Sequence, residues 1–141
     1  MRQFINIIED ASGQSRAMRL FNQFGGKVYS AADLPLAGKN AIRVYYIEEL
    51  DQEIDPTSQW GYVEIPTEAL TQTIGGHDDH DDFQSYHQAY IRSDMPDHSV
   101  ADHAIILDED DVHGELIWDG WHRFHDYVRK GVERIPAIIQ L

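Results

Sequence analysis

The chain has no cysteine among its 141 residues. Disulfides, thiolate metal sites and cysteine nucleophiles are excluded on that ground alone. Long apolar runs are missing too. The first apolar group, Phe4, Ile5, Ile7 and Ile8, is short and lies beside charge, so neither a signal peptide nor a membrane span is expected. A cytoplasmic protein with no membrane partner is the resulting expectation. Positive charge is scarce through the middle: residues 48–111 hold one Lys/Arg, Arg92, against eighteen Asp/Glu, a net charge of −17. Residues 1–47 carry +3 and residues 112–141 are neutral, which leaves the whole chain at −14. A chain this acidic repels a nucleic-acid backbone, so no direct binding to duplex DNA is expected.

What is present is enough apolar residue, at this length, for one domain with its own core. Arg2–Asp10 and Ser15–Phe24 read as amphipathic helices, the second ended by Gly25-Gly26. Ala31–Asn40 reads as a connection containing Pro and Gly. Ala41–Ile47, apolar and partly β-branched, reads as a strand. Glu48–Ser58 is an acidic loop or single helical turn. Gly61–Ile65 alternates as a strand does, and after Pro66 a helix is expected over Thr67–Ile74, stopped by Gly75-Gly76. Phe83, Tyr86, His87 and Tyr90 recur at helical spacing within a helical Asp79–Arg92. "HAIIL" (His103–Leu107) and "ELIW" (Glu115–Trp118) form a hairpin signal around a polar loop closed by Gly114. A helix over Trp121–Lys130 follows, with Gly131 as its cap and "IPAII" as the last strand. Trp60, Trp118, Tyr45, Tyr46 and Phe83 are expected in the core.

The stretch "DGWHR", Asp119–Arg123, carries the chemistry. A strand that passes through Asp-Gly into a helix presents backbone N–H groups that lack an intrahelical acceptor, and these carry partial positive charge suited to a phosphate or carboxylate. Gly120 permits both the turn and close approach of a ligand. Asp119 is placed to cap the helix. His122 and Arg123 fall in the first turn, where Arg123 offers a bidentate fork to an anion. The same residues also suit a plain helix start, with Trp121 packing and His122 and Arg123 pairing with Asp119 or Asp126. Phe124 and Val128 are the expected core face, and His125 lies one turn past Trp121.

"LIWDGWHRFHDYVRKGVERIPAII" resembles the closing segment of the ParB/sulfiredoxin-like superfamily, in which an apolar strand, Asp-Gly or Gly, a basic helix start, Gly and an Ile-Pro strand follow one another. "GYVEIPTEAL", Gly61–Leu70, is similar to an earlier strand and helix of that family, and the resemblance spans about residues 61–141. It implies an α+β fold, a small mixed β-sheet with flanking helices, and a nucleotide-phosphate pocket at the helix start. Residues 1–60 would then be an N-terminal helical and extended addition to a single domain. In the sulfiredoxin branch the turn reads Gly-Cys-His-Arg. Gly120, His122 and Arg123 match it, but Trp121 stands in the Cys position, so sulfiredoxin chemistry is excluded for want of a thiolate. In the ParB branch the turn reads Gly-Glu-Arg-Arg and binds cytidine triphosphate; Gly120 and Arg123 match.

Carried over residue by residue, the resemblance makes Gly120, His122 and Arg123 the phosphate-binding set, and Trp121, which departs from the family's turn, joins them as a nucleotide-binding candidate by its place at the helix start. Trp121 is open to stacking on a base or to packing. Asp119 and His122 are the candidate catalytic groups, with a nucleoside triphosphate and Mg²⁺ as the implied cofactors. Glu64 and Glu68 are possible further carboxylates, although a solvent-facing strand position and a first-turn acid account for them as well. "GGHDDHDDFQSYH" concentrates His77, His80 and Asp78, Asp79, Asp81 and Asp82, which are metal-ligand types without a recognised zinc spacing. A solvated loop and helix start explains the tract equally. Two functions follow: a nucleotide-binding protein acting in phosphoryl transfer or in nucleotide or phosphodiester hydrolysis, or an acidic module that mimics nucleic acid and occupies a basic groove of a partner protein. The size and the small N-terminal segment that carries none of the resemblance suit a phage or mobile-element origin.

Overall fold

A computed structural model describes residues 14–76, 80–91, 102–110 and 115–141. The expected helix Arg2–Asp10, the loop glycine Gly114 and the residues His77, Asp78, Asp79, Arg92 and His98 lie outside them. In chain order the elements are α1 (Arg16–Gln23), β1 (Lys27–Ser30), α2 (Leu36–Ile42), β2 (Gln59–Pro66), α3 (Thr67–Ile74), α4 (Phe83–Tyr90), β3 (Ile105–Leu107), β4 (Ile117–Asp119), α5 (Trp121–Lys130) and β5 (Arg134–Gln140). A 3₁₀ turn at Ala31–Asp33 precedes α2, and a π-helical stretch, Arg43–Glu49, continues it. The fold is α+β: a five-stranded mixed sheet with flanking helices, in the order β1-β2-β5-β3-β4.

The central strand explains the rest. β5 pairs antiparallel with β2 and parallel with β3, so it has no free edge. Every residue from Ile135 to Ile139 is buried. A strand covered on both faces needs a continuous apolar run, which is what "IPAII" supplies. Its side chains divide by parity. Ile135, Ala137 and Ile139 join Ile105, Leu107, Val63 and Ile65 in a core with α1, α3 and α5. Ile138 joins Ile106 and Trp60 on the other face, covered by Ala37, Ala41, Ile42 and Tyr46. Gly61 faces α1: a Cβ there would lie 2.7 Å from the Phe21 ring, so glycine lets that helix seat on the sheet.

Two expectations are corrected. Ala41–Ile47 is not a strand, and Ala31–Asn40 is not simply a connection; Leu36–Ile42 is α-helical and Arg43–Glu49 is π-helical. The apolar residues of this region do not alternate. Ala37, Gly38, Ala41, Ile42 and Tyr46 are buried while Arg43 and Ile47 are exposed, a helical spacing that covers the second face of the sheet. β1 has no clear signal in the sequence. It is a four-residue edge strand with Val28 53% exposed, held to β2 by its ladder rather than by a buried face. Residues 14–60 thus contribute an edge strand and helices on both faces of the sheet.

Candidate functional site

β4 ends at Asp119 and α5 begins at Trp121, with Gly120 between them in the left-handed region (φ 106°, ψ 24°). That conformation favours glycine. The space demands it too: a Cβ at Gly120 would lie 3.2 Å from Arg123 Nη1 and 3.4 Å from the Ile105 backbone. α5 spans the expected residues, and Gly131, also left-handed, ends it. Gly120 rather than Asp119 is the N-cap, and no side chain caps the helix. The Asp119 carboxylate instead accepts from the Gly120 N–H.

Arg123 folds back beneath this turn. Its Nη1 donates to the Ala104 carbonyl at 2.7 Å, fixing the guanidinium between β3 and the start of α5. Its Nε is buried and has no hydrogen-bond partner among the described residues. Burial raises the Asp119 carboxyl above the usual carboxylate range. Arg123 and the Gly120 N–H act against that rise, and Glu49, contributed by the π-helical stretch, adds to it. The structure therefore brings Asp119, Gly120 and Arg123 together and adds Glu49. The sequence does not single out Glu49, because its region reads as a strand followed by a loop.

The other two residues of the motif face elsewhere. His122 is exposed, its ring 5.4 Å from that of Tyr90. Trp121 is partly buried and packs edge-on against Tyr86 at 6.2 Å and Phe124 at 6.1 Å, and it stacks over His125 at 6.3 Å. Trp121 thus belongs to an aromatic layer joining α4 to α5. At its centre the His87 and His125 rings stack 5.1 Å apart, with their Nδ1 atoms 2.8 Å from one another. Phe83 stacks on His87 at 5.4 Å and Tyr90 on His125 at 3.9 Å. Helical spacing places Phe83, Tyr86, His87 and Tyr90 on one face, but spacing alone does not reveal the imidazole pair.

Glu64 and Glu68 are exposed at the corner from β2 into α3, where the Tyr62 hydroxyl donates to Glu64. Asp82 caps α4 by accepting from the Ser85 N–H at 2.7 Å, and His80 Nδ1 lies 2.9 Å from the Ser85 hydroxyl. Among the described residues no group of three or more His, Asp or Glu could hold a metal ion. No helix among them is long and apolar enough to cross a membrane. Trp118 departs from expectation: it is 54% exposed, because β4 is an edge strand whose inward position is taken by Ile117. Comparison of the chain with protein-family models, with curated proteins and with solved structures returns no match.

Proposed function

We propose that the Gly120–Arg123 turn holds the phosphate of a nucleotide, as the ParB/sulfiredoxin-like resemblance implies, and that the protein acts in phosphoryl transfer or in nucleotide or phosphodiester hydrolysis. The observation that carries this reading is the position of Arg123. Its guanidinium stays against the turn at the start of α5, donating through Nη1 to the Ala104 carbonyl, instead of pairing with a carboxylate elsewhere. Helix-start N–H groups and a guanidinium together favour a bound anion. The flanking carboxylates, Asp119 and Glu49, oppose one, and burial intensifies the opposition. A nucleotide brought in with Mg²⁺ would offset that opposition, with Asp119 and Glu49 as the candidate oxygen ligands and neutralisation of phosphate charge as the ion's contribution. In this reading Asp119 orients the attacking water or hydroxyl beside the phosphate. His122, whose ring faces Tyr90, is given no contact with the phosphate. Trp121 serves the protein's own packing and leaves base recognition to other residues.

The test is calorimetric titration of ATP, CTP and GTP with and without Mg²⁺. Arg123→Ala should weaken the nucleotide that binds about ten- to a hundredfold, since a hydrogen bond to a charged group is worth about 1.5–3 kcal/mol. Arg123→Lys keeps the charge and loses the fork, so it should fall between wild type and Arg123→Ala. Failure of every nucleotide to bind the wild-type chain would end this reading.

A further inference from the structure

A second recognition feature lies on the acidic side of the molecule. An open cleft of about 420 Å³ runs between the π-helical stretch and the β3–β4 strands. That volume falls within the range of small-ligand sites. Its walls include three aromatic residues, Tyr45, Tyr46 and Trp118, and three consecutive carboxylates, Asp108, Glu109 and Asp110; no Lys or Arg among the described residues lines it. π-helical turns are uncommon and gather at functional sites. Here the π stretch carries both tyrosines into the cleft, their rings 4.9 Å apart and edge-to-face. Trp118 is the largest exposed hydrophobic side chain on the described surface.

We infer that this cleft binds the side chain of an arginine presented by a basic polypeptide partner. A guanidinium has a flat face that lies on aromatic rings and a fork that engages carboxylates, and the cleft offers both kinds of group. The site is crowded with negative charge. Burial, then Asp110 and Asp108, hold the Glu109 carboxyl above its ordinary range. Tyr46 is pushed up to about 12 by burial first, then by Tyr45, Asp119 and Glu109. A bound cation offsets the like-charge part of both effects. A bare metal ion fits less well, since no three ligand groups among the described residues converge on a point. Asp108, Glu109 and Asp110, in a chain of net charge −14, steer a basic partner toward the cleft. The inference does not depend on the nucleotide reading, which concerns the Gly120 turn.

The experiment titrates the full chain with an arginine-rich hexapeptide, its lysine counterpart and a glutamate-rich control, by calorimetry and tryptophan fluorescence. Trp118 is the reporter, being 54% exposed where Trp60 is 1% exposed, and the Trp118→Gln variant gives the background of Trp60 and the partly buried Trp121. The arginine peptide should bind, change the fluorescence and lose affinity steeply as salt rises, and the lysine peptide should bind more weakly. Trp118→Ala, with Trp118→Gln as a second surface variant, should weaken binding about three- to thirtyfold. Combined Asp108→Asn, Glu109→Gln and Asp110→Asn should remove saturable binding while leaving any nucleotide response at the Gly120 turn intact. Equal affinity for the arginine and lysine peptides overturns the inference. So does binding indifferent to the Trp118 and carboxylate changes, or no binding at low salt.

Discussion

His87 and His125 meet ring to ring between α4 and α5, their Nδ1 atoms at hydrogen-bond distance. With Nδ1 atoms 2.8 Å apart, one imidazole donates and the other accepts, and the arrangement is lost when both carry a proton there. Burial lowers the His87 pKa below its ordinary value of 6.5. The folded chain therefore binds fewer protons at this site than the unfolded chain does when the pH lies between the lowered value and about 6.5. The stabilisation from the neutral pair is complete above about pH 6.5 and is lost as pH falls toward the folded-state value. Urea unfolding at pH 7.5 and 5.5 should show the decline. His87→Gln retains a hydrogen-bonding group that cannot titrate, so it should flatten the difference; an equal decline in both proteins would place the effect elsewhere. At the same scale, the role of the glycine at 120 is legible in the sequence, because Asp-Gly between a strand and a helix asks for a positive φ. The buried contact of Arg123 with the Ala104 carbonyl is not, because it joins residues 19 positions apart whose proximity depends on β3 lying beside β4.

α5 is the element whose local signals agree most completely. Gly120 begins it, Gly131 ends it, Arg129 and Lys130 complement the last turn, and Phe124 and Tyr127 are fully buried. Burying each of those rings stabilises the fold by about 1.5–3 kcal/mol. Phe124→Ala should therefore cost about 3–5 kcal/mol, measured as a lower urea midpoint with an unchanged slope. Asp126, 0% exposed on the same helix, is paired with Arg129 and with Lys130 at 3.3 Å. Nothing in the sequence distinguishes it from a surface acid. α4 is different in kind, a short helix whose start depends on the Asp82 cap. Asp82→Ala should cost about 0.5–2 kcal/mol, detectable as faster amide exchange at Ser85. Unchanged protection at that amide would show the cap to be dispensable. Around α2 and its π-helical continuation, Ile42, Val44 and Ile47 favour a strand, whereas the uncovered second face of the sheet favours a helix, and packing outweighs propensity.

For the whole molecule, charge sets the coarse behaviour. At −14, the chain should bind neither duplex nor single-stranded DNA at physiological salt in a gel-shift assay. A shifted band at micromolar protein would contradict this and would redirect attention to the neutral closing segment. The sequence by itself determined the mixed α+β character, the strand and helix of Gln59–Ile74, the β3–β4 hairpin, and the run from β4 through α5 to β5. In those segments hydrophobic period, Gly and Pro positions and caps are local signals that agree with one another. It also determined the absence of thiol chemistry and the acidity of the middle. Tertiary structure alone decided that Tyr46 and Glu49 lie within electrostatic reach of Asp119, that Trp118 faces outward, that Trp121 packs within an aromatic layer, and that two histidines 38 positions apart come within hydrogen-bond distance. The physical reason is that each of these depends on which strand becomes an edge and which face of the sheet a helix covers, and such choices are settled by burial across the whole chain rather than by neighbours along it.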